Sequence, residues 1–539
     1  MSRKFFGLCF SLLAFGASLS GQSDEFIRGF VIDKKNNEPV VFATIQIKNR
    51  AVGVISNQDG SFRFPKKLDR LGDSLLISCL GYQNKAVSID ELSLITTNRI
   101  LLAPSLLELN EAVVLGKRNR EPSPRQIIRR AIKYIPDNYP LQPFATVGYY
   151  RDYQLKNNEY TNLNEAIVKV FDQGFENNDL ASTKVKLYDY VRNTDFPRDS
   201  IASKPYDYAN RSKIIQNAYL DSFGGNEFSI LRMHDAIRNF SVKTFSFVNR
   251  FNKDLLKNHS FSKERDVSFN GEQMFVLNLE KGRLRIPAFT GEVLNSAFSA
   301  KGKIYISQTN YAIHKFMYEL YDHNSDRKGK YLKKGKLVFE VSVEYRAEDD
   351  KMFPNYISFH NIFQVRIAKL KVESIDFDLE SKRFVIKFNK PPTFLSAKEK
   401  GNYLMEYKGK KVKIKELRPV GNEVYLYPNS ISFKTINEEL TEIYQENGQL
   451  PYGLIHFSFV DIADEMGNVI NQFEYKNVNQ FREFFVQRVQ SNSKSPRDSL
   501  YLNKTRPIFK NQPVVKPKNL DEFWMNTPLK KINKKTASN

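Results

Sequence analysis

The sequence predicts a mainly β protein of several domains. The 42 Phe and 27 Tyr stand against one Trp and 25 Gly, a residue supply that favours strands. Apolar–polar alternation also recurs in short runs separated by Gly, Asn, Asp and Pro turns. With 539 residues the chain has room for three or four domains. Its 41% hydrophobic content is too high for a disordered chain.

The chain starts Met1-Ser2-Arg3-Lys4, then runs through apolar Phe5–Leu19 to the small residues Ser18, Ser20 and Gly21. That order predicts a signal peptide over 1–21, cut between Ser20 and Gln22. The expected address is the periplasm, the outer-membrane surface or the cell surface. The run is short for a membrane span, so no transmembrane segment is expected after cleavage. Cleavage leaves Cys79 as the single thiol, inside the strand-like Leu75–Leu80 and read as buried and structural. The net charge of +22 is spread widely, with denser patches at Arg327–Lys336, Lys408–Lys415 and Lys530, Lys531, Lys534 and Lys535. For an exported protein the expected counterpart is an envelope protein, anionic lipid or acidic glycan, and not nucleic acid. Lys411-Val412-Lys413-Ile414-Lys415, with its lysines alternating with apolar residues, reads as the wet side of a strand.

Residues 26–103 read as short strands: Phe26–Ile32, Phe42–Ile47, Phe62 with Phe64, Ser74–Leu80 and Lys85–Ile89. Asn57-Gln58-Asp59-Gly60 supplies a hairpin turn with Gly60 at positive φ. Gly29-Phe30-Val31-Ile32-Asp33, Pro39-Val40, Ala43-Thr44-Ile45, Asp59-Gly60-Ser61-Phe62 and Ser78-Cys79-Leu80-Gly81-Tyr82 resemble, in order, the carboxypeptidase-regulatory-like domain. The resemblance implies a seven-stranded, prealbumin-like, Ig-like sandwich, an envelope context common in Bacteroidota, and no peptidase activity. Leu106–Leu115 resembles the segment after this domain in TonB-dependent receptors, but the remaining chain is too short for a receptor barrel.

Residues 104–143 read as a linker and one amphipathic helix. Ser123 serves as N-cap, Pro124 begins the first turn, and Ile127, Ile128, Ala131, Ile132 and Ile135 share a face. Residues 144–365 predict a central, curved antiparallel sheet with a few helices. Its clearest strands are Arg265–Phe269, Gln273–Leu279, Gly302–Ser307, Ile313–Tyr318, Leu337–Tyr345 and Tyr356–Val365. Gly302–Ile306, Ala312–Phe316 and Phe353-Pro354-Asn355-Tyr356-Ile357 resemble exported half-barrels that carry lipoproteins or lipid. Residues 370–478, through Phe384–Pro392, Gly421–Leu426 and Asp461–Asn468, resemble the bacterial Ig-like module. A closing strand is expected over 479–490, then a basic, largely extended tail over 491–539, which Phe523-Trp524 can dock onto the body.

The chemistry-bearing residues form no motif. The six histidines, at 234, 259, 314, 323, 360 and 456, show no metal-ligand spacing. There is no Gly-x-Ser-x-Gly elbow, and Gly224-Gly225 lacks the Lys-Ser/Thr of a phosphate loop. Asp461 and Asp464 offer too few oxygens for a calcium site and read as a turn. No catalytic, cofactor or metal residue is therefore assigned, and no cofactor is expected. The leading expectation is a non-enzymatic envelope protein that binds or scaffolds as an accessory to an outer-membrane assembly. A second reading is a periplasmic carrier with an apolar ligand held by Phe275, Leu277, Ile304, Ile306, Phe316 and Phe339. A third is an undetected hydrolase.

Overall fold

Alternation in the first module gives seven strands: β1 (Phe26–Asp33), β2 (Thr44–Ile47), β3 (Gly53–Ile55), β4 (Ser61–Pro65), β5 (Ser74–Ser78), β6 (Lys85–Ser88) and β7 (Asn98–Leu102). They form two sheets, β4-β1-β7 and β3-β2-β5-β6, whose inward residues Ile27, Val31, Ile45, Ile47, Phe62, Phe64, Leu75 and Ile77 are buried. Gly60 sits at φ +75°, and a Cβ there would lie 2.7 Å from the Val31 carbonyl oxygen. Both demands exclude a side chain. The computed structural model describes residues 25–50, 52–105, 121–216, 226–241, 251–282, 297–323, 333–378, 380–429, 434–439, 441–442 and 454–529. The signal segment, Leu106–Leu115, most of the 327–336 patch and the lysines after 529 lie outside these residues.

The central module comprises α1 (Pro124–Lys133), α2 (Ile135–Asn138), β8 (Phe144–Lys156), β9 (Glu159–Asp172), α3 (Asp179–Ser182), β10 (Lys184–Arg192), β11 (Lys213–Ile214), α4 (Glu227–Met233), α5 (Phe251–Asn258), β12 (Ser260–Lys263), β13 (Val267–Phe269), β14 (Glu272–Lys281), β15 (Phe298–Ser307), β16 (Ile313–Asp322), β17 (Lys336–Glu348) and β18 (Lys351–Ala368). The C-terminal sandwich follows with β19 (Val372–Asp378), β20 (Arg383–Phe388), α6 (Phe394–Lys398), β21 (Tyr403–Tyr407), β22 (Lys410–Lys411), β23 (Ile414–Val420), β24 (Glu423–Pro428) and β25 (Ile455–Phe459). Its sheets β19-β20-β24-β23 and β22-β21-β25 close over Phe384, Ile386, Tyr403, Met405, Val424 and Leu426.

The chain then returns as β26 (Phe473–Gln490), an 18-residue strand seated between β8 and β18. The central sheet has the order β10-β9-β8-β26-β18-β17-β16-β15-β14-β12, with β11 added to β18 and β13 to β14. This corrects the expected boundaries at 365/370 and 478/479. The C-terminal sandwich is an insertion between two strands that pair with each other, from Tyr356 opposite Phe485 to Ala368 opposite Phe473. The first third of β26 hid this relation, because Phe473–Asn477 is mostly exposed where the pair runs past the core and shows no buried alternation.

Helix α1 begins as its sequence dictates. Ser123 Oγ accepts from the Gln126 backbone N–H, and the Gln126 side chain accepts from the Ser123 N–H, which completes a capping box. Ile127, Ile128 and Ala131 bury its apolar face. That face joins α2, α4 and α5 in covering the apolar side of the sheet, so 121–143 belongs with the central module. Phe275, Leu277, Ile304, Ile306, Phe316 and Phe339 all lie in this core with Ile128, Phe228, Leu231, Phe251 and Leu255. The Phe251 ring meets Phe316 edge-on at 5.3 Å. The open apolar concavity expected from alternation is therefore filled, among the described residues, by helical side chains. An alternating strand shows which face is apolar but not what covers it.

The 491–529 segment is extended, as its composition suggests, yet much of it is packed. The Leu502 N–H donates to the Val185 carbonyl (2.8 Å) and the Val515 N–H to the Leu187 carbonyl (2.8 Å), so the tail lies along the outer edge of β10. Farther on, Phe523, Trp524, Asn526 and Leu529 are buried between the first module and the central sheet. Among the described residues no helix is long and apolar enough to cross a membrane.

Candidate functional site

Two β-bulges shape the outer face of the central sheet. Tyr305 pairs with Lys315 and Ile306 with Ile313, which leaves His314 as the extra residue on β16. Glu344 pairs with Tyr356 and Tyr345 with Pro354, which leaves Asn355 extra on β18. A bulge re-aims side chains, and these two turn His314, Lys315, Glu344 and Asn355 toward the first module. Opposite them stand Thr44, Gln46, Leu76 and Ser78, the outward-facing alternates of β2 and β5. The space between the two sheet faces is a cleft of about 600 Å³. Beside it the Phe42 and Tyr356 rings pack at a tilt across the modules, 5.0 Å between centroids, and Asn355 Nδ2 bridges the modules by donating to Thr44 Oγ1 at 3.3 Å.

The cleft is mixed in charge and hydrogen-bonding character. Lys315 Nζ lies 3.3 Å from Glu344 Oε2, and Asn355 Nδ2 donates to the other Glu344 oxygen at 3.0 Å. Burial works against the Lys315 charge, but Tyr356 and Glu344 beside it hold its affinity for a proton well above the ordinary lysine value. Glu272 accepts from Ser307 Oγ and lies 3.4 Å from His314 Nε2. The His314 hydrogen bond holds the Glu272 carboxyl below its usual range. Ser307, Glu272 and His314 superficially resemble a hydrolytic relay, but the carboxylate sits between the other two. The histidine is then not placed to take the serine proton. Burial pushes the Cys79 thiol up to about 11, so at pH 8 Cys79 of the folded protein should be inert to a thiol-specific disulfide reagent and become reactive in denaturant. Full modification of the folded protein would contradict this placement.

The other residues singled out from the sequence are scattered. His234 stacks on Phe359 at 3.7 Å and bonds the Ile230 carbonyl through Nδ1. His259 bonds Tyr318 Oη through Nε2 at 2.9 Å, His360 lies between Glu340 and Asn479, and His323 Nε2 is 2.7 Å from Ser299 Oγ. His456 is exposed. The Asp464 carboxylate accepts from the Met466 and Asn468 N–H groups, which makes it the keystone of a turn. Among the described residues no three His, Cys, Asp or Glu side chains converge to hold a metal. A second polar pocket, with Asp152, Lys213, Glu227 and Gln480 beneath Pro507–Phe509, encloses only about 30 Å³, room for a water or two. Sequence reasoning missed Glu272, Glu344 and Asn355 because their meeting depends on the bulges. One signal was available: Pro354 lies inside a strand, where proline is confined to edges and bulges.

Two sheets of three and four strands, with β1 and β7 parallel, form the upper wall of this cleft. Residues 27–114 match the CarboxypepD_reg-like domain. In this chain the CarboxypepD_reg-like domain is therefore docked through the outer face of β2 and β5, while Trp524 and Asn526 hold it along β4 and β3. No curated protein matches the chain. Among solved structures it is similar to a LolA superfamily protein from Nitrosomonas europaea (11% identity, 44% of this chain and 86% of that one, TM-score 0.19). It is also similar to a DUF1329 family protein from Desulfovibrio piger (8%, 44% and 87%, TM-score 0.21). A third is a protein domain from Vibrio parahaemolyticus described as outer membrane lipoprotein-sorting (12%, 43% and 84%, TM-score 0.17).

Proposed function

We propose that this is an exported, non-enzymatic envelope protein that works by binding, with the cleft between the CarboxypepD_reg-like domain and the central sheet as its ligand site. The observation that carries the reading is the construction of the cleft. Two bulges and two modules converge fixed donors and acceptors, Glu272, His314, Glu344 and Asn355, on a space large enough for a small polar molecule. Export is supported by the basic, apolar and small order of residues 1–21. The excess of cationic side chains favours residence at an anionic envelope surface or against an acidic envelope partner. An apolar cargo is disfavoured, since α4 and α5 already fill the apolar face of the sheet.

Native mass spectrometry of the protein purified from its own envelope tests the proposal. A small polar adduct should accompany the wild type and be lost from Gln46→Trp, which places an indole in the cleft from the opposite wall. A lipid-sized adduct retained by Gln46→Trp would instead support the carrier. An adduct-free protein bound to an envelope subunit would support the scaffold alone.

A further inference from the structure

The CarboxypepD_reg-like domain leaves two strand edges, β3 and β4, facing the same side. Free edges recruit other chains unless they are covered. Here the cover is six residues of the tail, Trp524–Leu529. The Asn526 side chain does what a neighbouring strand would do: its Oδ1 accepts from the Arg63 N–H (2.8 Å) and its Nδ2 donates to the Ile55 carbonyl (2.7 Å). Trp524 Nε1 donates to the Arg63 carbonyl at 3.0 Å, and its ring meets Phe64 edge-on at 5.3 Å. The tail's own carbonyls are read by side chains, Met525 by Arg63 Nε (2.6 Å) and Pro528 by Asn57 Nδ2 (2.5 Å) and Ser61 Oγ (2.6 Å). The central sheet supplies the other wall, with Gln487 Nε2 donating to the Trp524 carbonyl (2.9 Å) and Thr527 Oγ1 donating to Glu165 Oε1 (3.0 Å).

This is the contact pattern of a receptor for an extended peptide: backbone groups met by fixed donors, with pockets for alternate side chains. None of it requires the segment to be joined to this chain. We propose that the groove along β3 and β4 is a peptide-recognition site that reads an aromatic-x-Asn-x-Pro segment of a partner protein, and that the tail holds it in a self-occupied state. The partner's chemistry is fixed by the way the tail is bound. It must be extended, with an aromatic N–H donor two residues before an Asn that can both donate and accept, and a Pro two residues after.

The test keeps the chain whole while it folds. A site-specific protease sequence is inserted between Lys518, which is exposed, and the half-buried Asn519, and the full-length protein is cut after purification. A fluorescent peptide spanning 519–531 should then exchange into the cut protein, seen as a rise in anisotropy. The same peptide carrying Asn526→Ala should bind at least tenfold more weakly. Far-UV circular dichroism should stay native after the cut segment has left. Equal binding of both peptides, or unfolding when the segment leaves, would overturn the proposal and make the tail a plain structural clamp. Exchange of tails between two differently tagged, uncut copies would also overturn it, by making a second copy of the chain the occupant.

Discussion

Acidification from pH 7 to pH 4 is expected to remove roughly 4 kcal/mol from the stability of the central module, mainly through two histidines. Burial lowers His234 to about 3, with the Arg482 guanidinium opposing its charge as well. Burial likewise lowers His259 to about 4, with Lys281 opposing it. Both titrate near 6.5 when unfolded. Between 6.5 and the folded values the unfolded chain holds more protons, so stability is complete above pH 6.5 and falls as pH drops toward 3. Each group contributes about 3 kcal/mol of loss at pH 4 by this linkage. Asp152 works in the opposite sense. Burial, with Glu227 nearby, raises its carboxyl to about 6, so it takes up a proton on folding below that pH and returns about 2 kcal/mol. Urea midpoints followed by far-UV circular dichroism from pH 7 to pH 4 measure the slope. His234→Phe should flatten it by about 3 kcal/mol over that range. A slope unchanged by the substitution would refute this account of acid sensitivity.

Arg151→Met should destabilise the protein by about 3–5 kcal/mol at neutral pH. Arg151 lies opposite Glu483 in the middle of the β8–β26 pair, with Nε and Nη2 at 2.7 and 2.5 Å from one carboxylate oxygen. Tyr153 Oη donates to the other oxygen at 2.7 Å. Both partners are almost fully buried, Arg151 at 1% and Glu483 at 5% exposure. Removing only the guanidinium strands a carboxylate in the interior, and that stranded charge sets the cost. The double variant Arg151→Met/Glu483→Leu should therefore recover more than half of the loss. If the two substitutions simply add, the stranded charge is not the cause.

Much of the strand and helix order could be read from residue pattern, because each run is a local consequence of period-2 or period-3.6 burial. Ser74–Leu80 alternates Leu75 and Ile77 inward, and the strand observed is Ser74–Ser78. Ser123 and Pro124 marked the start of α1. What pattern could not supply was any relation set by distant segments. Phe473–Asn477 lacks an inward-facing alternation because its pair overhangs the core, so β26 read as two pieces of different modules. Glu272, His314 and Asn355 carry no shared motif; they meet because single-residue bulges rotate two strands of a long sheet against a separate domain. Trp524 was legible as an anchor, being the only tryptophan, but the two edges that it and Asn526 cover were not.

The insertion of the C-terminal sandwich between β18 and β26 has a consequence for the order of events during synthesis. Arg151 and Glu483 are 332 residues apart in sequence, yet they sit side by side at the centre of the largest sheet. Until residue 490 has emerged, β8 and β18 lack the strand that pairs with both of them, and among the described strands no backbone ladder joins the two halves of the sheet. The first module and the inserted sandwich each close on local pairings and can form early. The central sheet must wait for its middle strand, so its formation is governed by the closure of a very long loop. A chain that stalls before β26 therefore carries two folded modules flanking an open, aggregation-prone sheet.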